Sequence, residues 1–274
     1  MRVLFMNGCG NRFAVFDGRR EPFRKSAEEI RRIAHPEGTQ RFDQIIGLES
    51  SMRADVFMRI WNADGGEVAA CGNATRCVGW LMLQELGEPR VTIETEAGIL
   101  KASRADGDLI TVDMGSPLLS WESVPLAEKM DTRFVDLKIG PIDNPILSRP
   151  SCLSMGNPHA VFFVDDVKDY DIPTIGPLVE WHPMFPEGVN VGFAQVLDDE
   201  TIRLRVWERG AGLTIACGTG ACAAAVSAAR LGRTKRKVRM ILDGGELLIH
   251  WRETDDRVLM TGPIELESEL EIAS

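Results

Sequence analysis

The chain of 274 residues has no apolar run close to the ~18 residues that a membrane-spanning helix needs. It also has little positive charge: 31 Lys and Arg stand against 41 Asp and Glu, which gives a formal net charge of −10. Without a basic face, a protein cannot neutralise the phosphates of a nucleic acid or the charge of an anionic membrane. The sequence therefore predicts neither a nucleic-acid partner nor a membrane partner, and it leaves a small-molecule ligand open.

Disulfide bonds are not expected either, because six cysteines in a chain of this length do not make a disulfide scaffold. Residues 1–8 reach a glycine before the apolar segment of a signal peptide could form. We therefore expect a cytoplasmic protein with reduced cysteines. Most buried cysteines are inert core residues, and this interpretation is kept for Cys9, Cys77, Cys152 and Cys222.

Cys71 and Cys217 are different, because they occupy matching places in two similar halves of the chain. They are 146 residues apart, and the same offset aligns 10–16 with 156–162, 59–61 with 205–207 and 70–72 with 216–218. Only two copies of this length are present, which is too few for a solenoid. The repeat predicts two homologous domains with related folds.

Each half contains several strand-like segments and one strongly apolar helix. We predict helices at 26–35, 72–86 and 218–231 from their caps and apolar positions. Residues 118–150 contain four prolines and are interpreted as a linker with irregular strands. Predicted strands are 3–6, 13–16, 56–61, 91–95 and 109–113 in the first half, and 151–164, 189–196, 201–207, 238–242, 246–251 and 258–260 in the second.

These patterns predict the α+β class, with two pseudo-two-fold-related domains. In each domain, a curved and mostly antiparallel sheet wraps around the central apolar helix, since both faces of that helix need cover. The first half is 1–117 and the second half is 118–262, and we expect the C-terminal tail 263–274 to complete the first. The cleft between the halves is the predicted active site.

Each of the two cysteines stands where a strand leads into a helix. A helix N-terminus leaves backbone N–H groups unpaired and carries a positive dipole end. This setting predicts a lowered thiol pKa and a docking place for a carboxylate. Two such thiols on opposite sides of one α-carbon would serve a racemase or epimerase, in which one removes a proton and the other delivers one.

Other interpretations remain open at this point. Zinc sites favour Cys-x₂-Cys pairs, whereas Cys71 and Cys77 are separated by five residues, and Cys217 and Cys222 by four. A thioester-forming hydrolase would need a histidine partner. The two cysteines could also be core residues that share a register by accident, or the switchable disulfide of a redox sensor. We expect no metal and no cofactor.

Several longer motifs, at 6–11, 62–73, 156–159 and 207–220, resemble the diaminopimelate epimerase family in order and spacing. The resemblance covers nearly the whole chain, although Arg12 and Leu213 depart from the residues that the family often has there. It implies a cofactor-independent isomerase, usually a homodimer. Such an enzyme interconverts LL- and meso-2,6-diaminopimelate in lysine and peptidoglycan-precursor synthesis. A racemase of another amino acid with the same fold is the alternative.

The resemblance also implies roles for individual residues. Cys71 becomes the proton donor and Cys217 the acceptor in one direction, while His159 and Glu208 tune the thiols. Several of the implied substrate contacts obey the repeat, and Arg209 is expected to grip the distal carboxylate with two hydrogen bonds. The implied contacts are Asn11, Gln44, Asn62, Gly72, Asn73, Asn157, Asn190, Glu208, Arg209, Gly218 and Thr219.

Overall fold

A computed structural model describes residues 1–37, 41–141 and 143–272. The chain divides into two compact units: the first is Met1–Asp113 together with Thr261–Ser274, and the second is Met114–Met260. Gly38, with which the first predicted helix was expected to end, lies outside the described residues, as do the last two residues of the predicted tail 263–274. That the units are two epimerase halves divided after 117 and 262 stays a prediction.

The first unit is mostly strands, with one short helix and one long buried helix. The long helix, α2, begins at Gly72 and ends at Leu86, as predicted. The elements are β1 Arg2–Gly8, β2 Asn11–Asp17, α1 Ala27–Ala34, β3 Gln44–Glu49, β4 Val56–Asn62, β5 Glu67–Val68, α2 Gly72–Leu86, β6 Arg90–Thr95, β7 Gly98–Arg104, β8 Ile110–Asp113 and, at the end of the chain, β19 Glu265–Glu271.

The second unit repeats this plan and adds a short 3₁₀ helix. Its long buried helix, α4, spans Gly218–Arg230. The elements are β9 Lys138–Ile139, β10 Leu147–Ser148, β11 Ser151–Ser154, β12 Pro158–Phe163, a 3₁₀ helix Val167–Asp169, α3 Ile172–Glu180, β13 Asn190–Asp198, β14 Thr201–Glu208, β15 Gly212–Thr214, α4 Gly218–Arg230, β16 Lys237–Leu242, β17 Gly245–Trp251 and β18 Val258–Gly262, which runs into the first unit.

Strand pairing is the same in both units. In the first, β1–β2 and β3–β4 are antiparallel and β2–β3 and β4–β6 are parallel. In the second, β11–β12 and β13–β14 are antiparallel and β12–β13 and β14–β16 are parallel. The register agrees too, since Ile45 faces Trp61 as Val191 faces Trp207. The predicted α+β class, with a mostly antiparallel sheet and a central helix in each half, is confirmed.

The two central helices are buried on nearly all sides, which explains their composition. From Gly72 to Gly79, every residue of α2 is buried, and α4 is alanine-rich and buried from Gly220 to Ala228. Small residues let the strands approach closely: a Cβ added to Gly79 would lie 2.5 Å from the Cβ of Ala102 on β7. The residue after α2, Gly87, is its C-cap and has the left-handed conformation that a glycine at this position predicts.

The interpretation of 118–150 as a linker is wrong in one respect. The segment is irregular, and β9 and β10 pair there over two residues each. Yet it supplies much of the hydrophobic core of the second unit, because its prolines interrupt ladders without preventing side-chain burial. The core residues it contributes are Val124, Leu126, Val135, Leu137, Ile139 and Leu147.

Helix α3 was not predicted from the sequence. It contains Pro173 in its first turn and Pro177 inside, and these prolines hid its apolar face, which buries Ile172, Ile175 and Val179. The short helix α1 was predicted: Ser26 and Glu29 form a reciprocal capping box at its N-terminus. Strands β3, β5, β7, β15 and β19 were also missed. No helix of the described residues is long and apolar enough to cross a membrane.

Candidate active site

In the first unit, Cys71 is the N-cap residue of α2. Its backbone is extended, and its carbonyl accepts the first helical hydrogen bond from the N–H of Thr75 at 2.9 Å. The hydroxyl of Thr75 donates to the same carbonyl at 2.8 Å, which fixes the orientation of that peptide. Gly72 and Asn73 follow as the first helical residues, where N–H groups have no acceptor inside the helix.

Four predicted amides lie near the ends of strands β2, β3 and β4 and at the start of α2. Asn73 Nδ2 donates to Asn11 Oδ1 at 2.6 Å, and Gln44 Nε2 donates to Asn62 Oδ1 at 2.9 Å. Gln44 and Asn62 face each other directly across β3 and β4. Within the described residues, Asn73 Oδ1 and Gln44 Oε1 are buried acceptors without a hydrogen-bond partner. Each lacks the partner that a buried acceptor normally has.

In the second unit, Cys217 is the N-cap residue of α4 and is buried. Its Sγ accepts from the N–H of Gly220 at 3.4 Å and lies 3.6 Å from Thr219 Oγ1. Burial and the negative charge of Glu208 nevertheless raise the pKa of Cys217 well above its ordinary value. The expectation of a lowered thiol pKa is wrong here, because loss of hydration and a nearby carboxylate outweigh the helix terminus.

Glu208 is the last residue of β14, and it contacts the Cys217 thiol directly. Thr214 on β15 donates to Glu208 Oε1 at 2.5 Å. Burial raises the pKa of Glu208, while the hydrogen bonds from Thr214 and Cys217 act in the opposite direction. In this pair the thiol donates to the carboxylate, so one negative charge stays on Glu208.

His159 reaches the same cysteine through a short chain of hydrogen bonds. Its Nε2 lies 3.0 Å from Asn157 Oδ1, Asn157 Nδ2 lies 3.3 Å from Thr219 Oγ1, and Thr219 lies beside Cys217. Burial lowers the pKa of His159 to about 3, so the ring is neutral near pH 7. Because Asn157 Oδ1 can only accept, the ring proton lies on Nε2.

Arg209 is held from two directions. Its backbone N–H donates to Asn190 Oδ1 at 3.0 Å, and its Nη1 donates to the carbonyl of Glu187 at 2.8 Å. Asn190 is itself tied to the carbonyl of Pro158 at 2.8 Å. Among the residues that the structure describes, none accepts from Nε or Nη2 of Arg209. The edge that binds a carboxylate with two parallel hydrogen bonds is therefore open.

The predicted residues thus gather in two half-sites, one in each unit. The first has Cys71, Gly72, Asn73 and Asn11 with the Gln44–Asn62 pair, and the second has Cys217, Gly218, Thr219, Asn157, His159, Glu208, Asn190 and Arg209. Sequence reasoning missed Thr214. A hydroxyl within the 207–220 motif was its only signal, and the repeat gives no match, since Val68 stands 146 residues earlier. In the described part of the chain, no three His, Cys, Asp or Glu side chains gather as possible metal ligands.

The architecture of the two units recurs in known proteins. A hydroxyproline epimerase from Agrobacterium vitis, solved with trans-4-hydroxy-L-proline, matches with a TM-score of 0.66 and 19% identity. The match covers 98% of this chain and 91% of that one. At this level of identity the likeness defines the fold alone.

Sequence comparison defines the family. The model of the diaminopimelate epimerase family matches 3–119 and 151–267. Diaminopimelate epimerases from Caulobacter vibrioides (strain NA1000 / CB15N) and Caulobacter sp. (strain K31) are 52% and 50% identical to this chain. Each comparison covers 96% of this chain and 94% of the relative. The chain belongs to the diaminopimelate epimerase family. The resemblance seen in the motifs is confirmed, and so is the predicted enzyme class, an isomerase.

Proposed function

We propose that the two half-sites act on one α-carbon of diaminopimelate and interconvert its LL and meso forms without a cofactor. The observation that carries the proposal is the repeated cysteine. Cys71 and Cys217, 146 residues apart, are both N-cap residues of a buried central helix. Membership of the family supplies the substrate, since the curated relatives are named for it.

The α-carboxylate of the substrate binds at the N-termini of α2 and α4 in this proposal. Gly72 and Asn73 begin one helix, and Gly218 and Thr219 begin the other, so their N–H groups are free of intrahelical acceptors. These groups and the helix dipoles favour an anion. They also stabilise the extra negative charge that forms on the carboxylate as the α-proton leaves.

The proton steps use the two sulfurs with Glu208 as a partner. When Cys217 is the donor, its S–H proton passes to the carbanion, and the thiolate left behind is reprotonated before the next turnover. When Cys217 is the acceptor, its own proton must first move to the carboxylate of Glu208, with which the thiol shares a hydrogen bond. Cys71 takes the opposite role on the other face of the carbon.

The remaining polar groups suit the rest of the molecule. The open acceptors Asn73 Oδ1 and Gln44 Oε1 match the donors of an ammonium group. The Nε and Nη2 edge of Arg209 matches the distal carboxylate. Diaminopimelate carries both groups at each end, so a site with separate acceptors and a guanidinium favours it over an amino acid with one carboxylate.

Hydrogen exchange in deuterated water tests the reaction. Purified enzyme should place deuterium at an α-carbon of LL- and meso-diaminopimelate, detected by mass spectrometry and NMR, because the protein's thiols equilibrate with solvent. Proline under the same conditions should stay unlabelled. Labelling of proline, or of another amino acid, without labelling of diaminopimelate would overturn the assignment in favour of a different racemase.

We also propose that the enzyme is a cytoplasmic homodimer, as the family resemblance implies. Light scattering on the eluted protein should give about twice the chain mass of 30.3 kDa. A mass of one chain at micromolar concentration would contradict the dimer and leave the reaction unaffected.

A further inference from the structure

A buried carboxylate in the second unit takes no part in the proposed reaction. Glu180 is the last residue of α3 and is 4% exposed. Its Oε2 accepts from Trp207 Nε1 at 2.6 Å, and its Oε1 accepts from the N–H of Gly210 at 2.8 Å. Trp207 and Gly210 flank Glu208 and Arg209 in the sequence. One carboxylate therefore holds both ends of the two-residue segment that carries them.

The helix is shaped for this contact. Gly176 lies one turn before Glu180, so both residues face the same side of α3. A Cβ added to Gly176 would lie 2.5 Å from Cγ and Cδ2 of Trp207, which shows that the indole packs against the helix backbone. With the ring held there, its N–H points to Glu180. Hydrogen bonds to an ionised acceptor are about twice as strong as neutral ones.

The backbone of this segment turns at two glycines. Gly210 and Gly212 both have positive φ values, 75° and 85°. The turn closes the antiparallel pair β14–β15, in which Glu208 faces Gly212, and Ala211 N donates to Glu208 O at 3.0 Å. Arg209 is bonded to Asn190 and to the carbonyl of Glu187. The Glu180 contacts are the ones that join this turn to α3. A displacement of about 1 Å at a reacting centre costs on the order of 10²-fold in rate.

The first unit supports the corresponding turn with the opposite charge. Asp64 stands 146 residues before Gly210, and its carbonyl accepts from Arg31 Nη1 on helix α1 at 2.9 Å. In the first unit, the guanidinium of Arg31 on α1 donates to the backbone carbonyl of Asp64. In the second unit, the carboxylate of Glu180 on α3 accepts from the backbone N–H of Gly210, which is the corresponding position. Both units therefore fix the same turn through a charged side chain of the neighbouring helix.

We propose that Glu180 is a positioning residue, which sets Glu208 against Cys217 and presents the open edge of Arg209 to the distal carboxylate. The inference rests on the roles proposed above for Glu208 and Arg209. It makes α3, the helix that was not predicted from the sequence, part of what determines the enzyme's preference for a substrate with two carboxylates.

The test compares Glu180→Gln with Glu128→Gln in steady-state epimerisation. Glu128 is exposed and makes no hydrogen bond within the described residues, so its variant controls for the loss of one negative charge. In Glu180→Gln, the amide offers one acceptor and turns its NH₂ towards one of the two N–H donors. We expect kcat/KM to fall about 10- to 100-fold, with an increase in KM, while Glu128→Gln matches the wild type.

A double-mutant cycle separates positioning from a loss of stability. In an Arg209→Lys background, Glu180→Gln should raise KM less than about 2-fold. The paired hydrogen bonds to the distal carboxylate, which Glu180 helps to position, are already lost in that background. If Glu180→Gln fails to fold, Trp207→Phe carries the same cycle, since it removes one of the two donors and keeps an aromatic ring.

Two results would overturn the inference alone. One is a Glu180→Gln enzyme with the kinetics of Glu128→Gln beside an impaired Arg209→Lys enzyme. The other is an increase in KM by the same factor in both backgrounds, which would mark a purely structural role. An Arg209→Lys enzyme with wild-type KM would instead overturn the proposed function of Arg209, and the inference with it.

Discussion

At the scale of single residues, the electrostatic state of Cys217 governs how the site can work. A thiol at a helix N-terminus is commonly acidic, but this one is buried against a carboxylate, and its pKa is raised. The resting half-site therefore holds a thiol and a carboxylate, not a free thiolate. Because the thiolate is the nucleophilic form, a raised pKa lowers the reactivity of Cys217 towards oxidants and alkylating agents.

Replacement of either reacting sulfur tests the two-base scheme. Cys71→Ala and Cys217→Ala should each reduce epimerisation at least ~10²-fold, because a positioned acid or base contributes about 10²- to 10⁴-fold. Cys222→Ala is the matched control, since Cys222 is a buried cysteine of the same helix as Cys217. Near-wild-type turnover in Cys217→Ala, with circular dichroism showing a folded protein, would eliminate the scheme.

Glu208→Gln should separate thiol acidity from catalysis. The charge of Glu208 raises the pKa of Cys217, so its removal lowers that pKa and populates the thiolate at lower pH. The rate of Cys217 alkylation by iodoacetamide, followed by peptide mass spectrometry from pH 6 to 10, should therefore shift to lower pH. Turnover should fall, because the acceptor for the thiol proton is gone. An alkylation profile that shifts to higher pH would contradict this electrostatic account.

The sequence predicted the polar residues that the structure groups into the two half-sites, since a repeat around two cysteines is visible without any structure; their roles stay a prediction. It could not predict their partners. Asn190 is tied to backbone groups of Pro158 and Arg209, and such contacts depend on how three chain segments pack. The prediction of a lowered pKa for Cys217 was wrong for the same reason. Burial depends on all the surrounding chain, whereas a helix terminus can be recognised from the local sequence.

At the scale of elements, the central helices illustrate how burial changes the meaning of a glycine. A glycine inside a helix ordinarily costs about 1 kcal/mol relative to alanine. Gly79 is different, because the Cβ of Ala102 occupies the space where its own side chain would be. The residue is needed for the approach of β7 to α2.

Gly79→Ala should therefore destabilise the protein, by up to about 2 kcal/mol, although its helix propensity improves. Overpacking of a well-packed core typically costs 1–3 kcal/mol, and the gain from propensity offsets only about 1 kcal/mol of that cost. Adding Ala102→Gly should restore part of the loss, and urea unfolding of the two single variants and the double variant measures the coupling. A stabilised Gly79→Ala protein would show that the strand moves away at no cost.

Elements with a clear period or cap were predicted well. Helix α2 was predicted at its observed bounds, and the capping box of Ser26 and Glu29 marks α1. Helix α3 and the core residues of 118–150 were not predicted, because prolines are normally signals of a break. In this chain, Pro173 and Pro177 lie within a helix whose other side chains reach the core.

At the scale of the whole molecule, the first unit is built from both ends of the chain. Strand β19 pairs with β1 along its length, from Arg2 with Glu271 to Asn7 with Glu265. Three ion pairs join the same strand to the N-terminal segment: Arg2 with Glu269 at 2.6 Å, Arg12 with Glu267 at 2.5 Å and the N-terminal amine with Glu271 at 3.8 Å. This strand was hard to predict from the sequence, because all its residues are exposed and four of seven are glutamate.

A chain that ends after Gly262 should keep the second unit folded and loosen the first. Without β19, one edge of β1 loses its hydrogen-bond partners and the three ion pairs disappear. Hydrogen exchange followed by mass spectrometry should show much faster exchange in β1 and β2, with unchanged protection in β13 and β14 as the internal control. Equal protection of β1 in both chains would contradict a structural role for the last strand.

The dependence of β1 on the last strand also reverses the order in which a nascent chain can fold. Ribosomes emit the N-terminal segment first, yet its sheet gains its outer strand only after Glu271 has left the exit tunnel. Residues 114–260 are complete earlier, so the later-translated body can reach its native state while the earlier one still waits. The hydrophobic strands of residues 1–113 therefore wait for their last partner until the whole chain has been made.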